Sequence, residues 1–392
     1  MEYSAKSPSY PEGPLWRVQC VDSCARRISD PVQKLRFLRR MAECGEPQSP
    51  APTSYRWLIR GVLLLLMVLT FPVDTVSEAG VLLNNTTSRN LLSSGPEDRL
   101  PIVWLVEISG GQEIYSNGLR IETRFVVSPS EDQVVPFQRI ARETGRLEAS
   151  PGPAGIVFHS TESLQAPFEE DQNRSLRRIG EALLQYVRQH RCYHFVIDRF
   201  GRVFRIVPEN ERADHAGHSV WADSMWNYVN LNSSFLAVSI EAQTGSPEDR
   251  QEITAAQRHS AHVLTHMLRA RYRIPASNCV THAQVSVNPH NSYIGYHTDW
   301  AASFPFEALG LKDNYAIPLP SLYVFGFRYD PTFLKMSGAN VWKGILLAEE
   351  RVRQQALAQG RTVAQQREAL QGNYRAMFAA VRSAGGATQE NH

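Results

Sequence analysis

Three histidine neighbourhoods hold the residue types best suited to chemistry: His159 in "GIVFHSTES", His282 in "VTHAQ", and "GYHTDW", which contains both His297 and Asp299. Two imidazoles and a carboxylate around one open position form the donor set of a catalytic zinc ion. Such an ion stays Lewis acidic and makes its bound water a nucleophile near neutral pH. Wide separation in the chain suits ligands delivered by the ends of different strands. Spacing alone leaves a plainer reading open, because a lone histidine at a strand end is more often a capped or solvent-facing side chain. His262 and His266 in "HVLTH" lie four apart on one helix but lack the adjacent glutamate of a metalloprotease helix, so both read as ordinary helical residues.

The elements that must position these groups alternate in type. Gly155 to His159 reads as a buried strand, followed by a helix capped by Ser175, in which Leu176, Ile179, Leu183, Leu184 and Val187 recur at helical spacing. "YHFVID" and "RVFRIV" form a hairpin around Asp198 to Gly201, with His194 pointing away from Tyr193 in a structural role. "FLAVSIEA" is a buried strand ending near Glu241, and Thr254 with Gln257 makes a capping box that opens a helix running to about Tyr272. A short strand ends at His282. Helices alternating with buried strands predict an α/β fold, a mixed central β-sheet flanked by helices. Upstream, "IVWLVEI" and "LRIETRFVV" read as two strands joined at Asn117-Gly118. Beyond Tyr329, Val363, Leu370 and Met377 repeat every seven residues, as do Tyr374 and Val381, which predicts two helices broken at Gly360. This helical tail either docks a partner or packs back on the domain.

The chain has 392 residues and a formal charge of +2, which gives no reason to expect a nucleic-acid partner. Up to Arg60, ten Lys and Arg stand against six acidic residues, directly before the apolar run "GVLLLLMVLTFPV" at Gly61 to Val73. That run is short beside the roughly 20 residues of a typical span and also suits the apolar core of an export signal. The basic flank predicts that everything from Ser77 onward faces the far side of the membrane. Cleavage at "SEAG" and a start at Met41 both stay open. Cys20, Cys24 and Cys44 then fall inside, where thiols stay reduced. Cys192 and Cys279 fall outside, where a disulfide is permitted but pairing is not specified.

"GIVFHSTES", "YHFVIDRFGRVFRIVPENERADHAGHSVW", "NSSFLAVSIEA", "VTHAQVS" and "GYHTDW" occur in this order. Together they resemble the zinc-dependent N-acetylmuramoyl-L-alanine amidases, whose fold is shared by phage-type amidases and peptidoglycan recognition proteins. The resemblance spans Gly155 to Phe306 and implies the zinc ligands His159, His282 and Asp299. It also implies a catalytic tyrosine at Tyr193 and, at Glu241, the glutamate that contacts the zinc-bound water. His297 stands where the family often has lysine, so the donor to the developing oxyanion would be titratable. His215, His218 and Trp221 resemble the loop that lines the substrate. The segment between His282 and Asp299 is longer than usual and contains His290, an alternative third ligand.

The implied activity is zinc-dependent hydrolysis of the amide between N-acetylmuramic acid and L-alanine in peptidoglycan or its fragments. The alternative is a non-catalytic peptidoglycan-binding or sensing module, a type that typically lacks a zinc ligand. The expected organisation is a basic cytoplasmic tail at 1–56, a transmembrane anchor or signal segment at 57–76, a linker at 77–99 and a β-rich flanking segment at 100–150. The zinc amidase domain follows at 151–310 and the helical tail at 330–385. Expected partners are peptidoglycan or muropeptides, the membrane through the N-terminal segment, and a protein that docks on the C-terminal helices. The catalytic domain would then sit on the periplasmic or extracellular side.

Overall fold

The computed structural model describes residues 100–128, 137–244, 252–337 and 342–386. The basic tail, the anchor or signal segment at 57–76 and the linker to residue 99 lie outside the described residues. Among the described residues, no helix is long and apolar enough to cross a membrane.

A three-strand meander comes first: β1 (Leu105–Ser109), β2 (Gln112–Tyr115) and β3 (Arg120–Glu122). It turns at Gly110-Gly111 and at Asn117-Gly118, where the glycines have φ of +59°, +78° and +86°. The sequence pattern merges β2 into its neighbours, because "QEIY" has no clean apolar alternation; pairing on both sides defines it. A hairpin of β4 (Phe137–Ala141) and β5 (Leu147–Ser150) follows, and then β6 (Gly155–Ser160). Helix α1 (Asn173–His190) starts behind a 3₁₀ turn at Glu170–Gln172, so Ser175 lies inside the first turn and caps nothing, contrary to expectation.

Next come β7 (Phe195–Ile197), β8 (Val203–Arg205), β9 (Val220–Ala222), β10 (Trp226–Val229) and β11 (Phe235–Ile240). Helix α2 (Ala255–Tyr272) opens with the expected capping box: Gln257 N–H donates to Thr254 Oγ1 at 3.1 Å and Thr254 N–H to Gln257 Oε1 at 2.9 Å. Strand β12 (Cys279–Thr281) leads into the single turn α3 (His282–Val285). The chain ends in α4 (Pro320–Tyr323), α5 (Pro331–Met336), α6 (Lys343–Ala358) and α7 (Val363–Gly386), with Gly360 at φ +62° between the last two.

Eight strands form one mixed sheet in the order β1-β2-β3-β8-β7-β11-β6-β12. At its centre β11 runs parallel to both β6 and β7, and β12 parallel to β6. Every residue of β6 and β11 is buried, as expected for parallel strands covered on both faces. One face packs Phe158, Val238 and Ile240 against Leu264, Met267 and Leu268 of α2. On the other side of the sheet, Val196 and Phe204 pack against Leu184 and Val187 of α1. Gly155 is required where β6 begins, because a Cβ there would run into the Phe235 ring and the Asn278 carbonyl.

The segment 100–150 is divided between two sheets. β3 extends the main sheet through β8, while β4 and β5 join β10 and β9 in a separate four-stranded sheet. The helical tail packs back on the domain. Val381 is buried, and Tyr374, Met377 and Phe378 pack on the core that also holds Trp221, Phe235 and Phe325. Cys192 and Cys279 are both buried, in separate clusters of the core.

Candidate metal centre

His159 is the fifth residue of β6, and the parallel register pairs it with Ser239 of β11. Thr281 at the end of β12 pairs with Phe158, which brings His282 alongside His159. The single turn that starts at His282 is pinned by its own capping box, with Thr281 N–H donating to Gln284 Oε1 at 2.9 Å. Asp299 comes from a loop, and three contacts hold that loop in place. Ala283 N–H donates to the Asp299 carbonyl at 3.3 Å, Trp300 N–H donates to Thr244 Oγ1 at 3.0 Å, and the Tyr315 hydroxyl donates to the Trp300 carbonyl at 2.6 Å. Trp300 has φ +57°, a left-handed conformation costly for a bulky residue, and its buried side chain and these bonds hold it there. Thr244 also bonds Ser160 Oγ at 2.6 Å and Glu162 Oε1 through its N–H at 2.7 Å, so it ties the end of β6 to the Asp299 loop.

The resulting cluster is buried. His159, His282 and Asp299 are 1%, 4% and 3% exposed, and their donor atoms all lie within 4.8 Å of one another. Asp299 bridges the imidazoles, with Oδ2 at 3.2 Å from His159 Nδ1 and Oδ1 at 2.9 Å from His282 Nδ1. Burial alone would raise its carboxyl pKa, but the charge of His282 and hydrogen bonds from both imidazoles hold it well below the usual range. His282 Nε2 is buried without a partner among the described residues, so the protein's own hydrogen bonds do not complete this imidazole. The separations suit the edges of a tetrahedron with bonds of about 2.0–2.2 Å, and two imidazoles with one carboxylate are donors that zinc accepts. The residues therefore fit the ion.

Around this centre stand further groups. The half-buried Tyr193 has its ring 5.1 Å from that of His159. His297 stacks on His282 at 4.3 Å and 17°, its backbone held on both sides by Ser286. Glu241 follows Ser239 by two residues, on the sheet face that His159 shares, and its N–H continues the ladder to the Ile197 carbonyl. Burial pushes the Glu241 carboxyl up to about 7, helped by Asp198 and opposed by the Arg199 N–H bond at 3.1 Å.

The expected substrate loop divides. His215 is 8% exposed and lies against His159, with Nδ1 3.1 Å from His159 Nε2. His218 is exposed and stacks on Phe378 of α7 at 5.6 Å. Trp221 does not line a surface: it is 1% exposed on β9, within the core, and its indole N–H donates to Asn278 Oδ1 at 3.1 Å. His290 is exposed and outside the cluster, which corrects the alternative ligand in favour of Asp299. His194 is structural as expected, with Nδ1 accepting from Ala237 N–H and Nε2 facing the Glu211 carbonyl. Sequence reading missed Thr244 and Glu162, whose polar ties depend on residues more than 80 positions apart.

Residues 149–299 match the family model of N-acetylmuramoyl-L-alanine amidase. Comparison with curated proteins finds no match. Among solved structures, the N-acetylmuramoyl-L-alanine amidase LysC from Clostridium intestinale is 20% identical over 48% of this chain and 98% of its own, at a TM-score of 0.26. The amidase AmiD from E. coli, in complex with anhydro-N-acetylmuramic acid-L-Ala-D-gamma-Glu-L-Lys, is 17% identical over 52% of this chain and 91% of its own, at 0.33. Drosophila peptidoglycan recognition protein SD is 17% identical over 43% of this chain and 85% of its own, at 0.27. The family match covers the whole stretch from β6 to Asp299, and over residues 149–299 the chain is similar to the N-acetylmuramoyl-L-alanine amidases.

Proposed function

We propose that this protein is a zinc-dependent hydrolase that cleaves the amide between N-acetylmuramic acid and L-alanine in peptidoglycan or its fragments. One observation carries the reading: within the family-matched residues, His159, His282 and Asp299 converge in a buried cluster of zinc-compatible donors. Bound there, zinc would supply Lewis acidity toward water and the scissile carbonyl. His159, His282 and Asp299 would hold it. Glu241 takes a proton from the attacking water and returns it to the departing alanine nitrogen as the C–N bond breaks, leaving a lactyl carboxylate. Its raised affinity for protons suits both halves of that task. Tyr193 and His297, flanking the two histidine ligands, donate to the oxyanion.

The test is zinc content of the purified protein together with release of free stem peptide from a muropeptide. Peptide retained but never released would identify a binding module instead. His297→Ala should lose on the order of 100-fold in turnover, the usual cost of one oxyanion donor, with zinc retained. His297→Lys should keep substantial activity to higher pH, because an ammonium holds its proton longer than an imidazole. Near-normal turnover in the alanine variant would make His297 a bystander.

The basic flank and apolar run before residue 74 support an exported domain anchored by its N-terminal segment. A reporter enzyme that works only outside the cytoplasm, fused after Asn90, should be active. Activity of a cytosol-only reporter at the same junction would refute export.

A further inference from the structure

Where the helical tail packs back on the domain it leaves a groove of about 450 Å³ between α7, α6 and the sheet strands β4 and β10, a volume in the range of small-ligand sites. Helix α7 is fixed from beside it. Arg367 donates to the Phe327 carbonyl and to Glu349, Gln371 Nε2 donates to the Gly326 carbonyl at 3.0 Å, and Val381 is buried. Gly326, at φ +75°, lets the helix come close there, because a Cβ would lie 2.6 Å from the Arg367 carbonyl oxygen. Asn373, Ala376, Met377 and Ala380 recur at helical spacing on the stripe of α7 that lines the groove. The two alanines are too short to fill it.

The groove has aliphatic walls, from Ile140, Ala141, Val324 and Leu370, and few polar groups. Two of those groups are incomplete. Asn227 on β10 is 8% exposed; its Nδ2 donates to Met377 Sδ at 3.5 Å, a weak acceptor, and its Oδ1 has no partner among the described residues. Turned over, this amide would press its oxygen against the sulfur lone pairs, so the oxygen is the open end. Gln355 on α6 carries a second buried oxygen, Oε1, without a partner among the described residues. Both are acceptors, and a buried acceptor left unpaired is costly. Among the residues lining the groove only Arg142 is charged, and it is exposed, with Nη1 held by the Asp223 carbonyl at 2.8 Å.

We infer that this groove is a binding site for a short aliphatic peptide that ends in a free carboxylate. Two orphaned acceptors call for N–H donors, the aliphatic walls for small apolar side chains, and the guanidinium for an anionic end. A phosphate or carboxylate alone would bring only further acceptors to Asn227 and Gln355. A sugar would bring hydroxyls but meet one aromatic ring, that of Tyr323, and mostly aliphatic wall. His159, His282 and Asp299 do not line the groove, so the inference stands apart from the proposed hydrolysis.

The test titrates the full chain by calorimetry with the probe acetyl-Ala-Val-Ala, which keeps its C-terminal carboxylate. Binding should survive removal of metal by chelation. It should weaken about 10–100-fold in Arg142→Gln, which loses a charge-assisted bond, and about 2–10-fold in Asn227→Val, which loses a neutral one. An analogue with ester oxygens in place of the Val and final Ala N–H groups should also bind several-fold more weakly. Ala380→Trp, at an exposed position of α7, should fill the groove and abolish binding while melting like the unmutated protein. No binding, equal affinity for the ester analogue, or binding that is lost on chelation yet kept in Ala380→Trp would each overturn the inference. Displacement of the peptide by chitobiose would assign the groove to sugars and overturn it too. None of these outcomes alters zinc content or peptide release from a muropeptide, so the groove and the amidase reading fail separately.

Discussion

Replacing His282 by alanine should abolish both zinc retention and amide hydrolysis, and His159→Ala should do the same. Each imidazole reaches the cluster from its own position, His159 from within β6 and His282 from the turn after β12, so neither can move to cover for the other. Two protein donors leave an open, solvated ion in place of the three-donor geometry of a catalytic site. The loss should exceed the roughly 10–100-fold of an outer-shell partner. His282→Ala should also cost stability without metal, because Asp299 Oδ1 loses its partner at 2.9 Å while staying buried. An unsatisfied buried acceptor costs about 1–3 kcal/mol. It removes the ring on which His297 stacks as well, so His297 should lose its orientation in that variant and keep it in His159→Ala. Metal content after a chelator wash, peptide release and melting of the metal-free variants measure these effects. Full zinc occupancy in both variants would sink the ligand assignment.

The sequence revealed those parts of the site that local rules determine. A buried strand with a histidine near its end, a capping box at Thr254 and a turn at Asn117-Gly118 are short-range patterns, and the structure contains them. Trp221 was misplaced because burial of β9 comes from pairing with β10 and from the helical tail above it, neither visible in "GHSVWAD". His215 was placed in a substrate loop and lies beneath it. Its flanks offered a usable signal: Ala213, Ala216 and Gly217 are small residues that leave room for a chain to pass close to a strand, and Ala213 and Ala216 are fully buried. Thr244 carried no signal at all, since its role exists only once residues 160 and 300 are brought to it.

Glu241→Gln should separate the chemical role of this residue from its structural cost. Glutamine keeps the shape and can still accept the Arg199 N–H, but it cannot take a proton from water or return one to the leaving nitrogen. Turnover should fall by about 10²–10⁴-fold, the range of a general acid–base group. Zinc content should not change, because Glu241 is outside the three-donor cluster. Stability should move the other way. The folded state holds the Glu241 proton up to about pH 7, whereas an ordinary glutamic acid releases it near 4.5. Between those values the folded protein binds more protons than the unfolded chain, so the native state of the metal-free protein loses stability as pH rises. The cumulative cost approaches ~3 kcal/mol above pH 7, taking about 1.4 kcal/mol per pKa unit. The amide does not ionise and escapes this penalty. Metal-free Glu241→Gln should therefore melt several degrees above the unmutated protein at pH 8, and the gap should shrink toward nothing at pH 4. Equal melting at both pH values would show that the carboxyl does not carry a raised pKa. A variant with unchanged turnover would show that Glu241 is not the proton carrier, whatever its stability, and would send the search to other groups around the open side of the cluster, beginning with Tyr193.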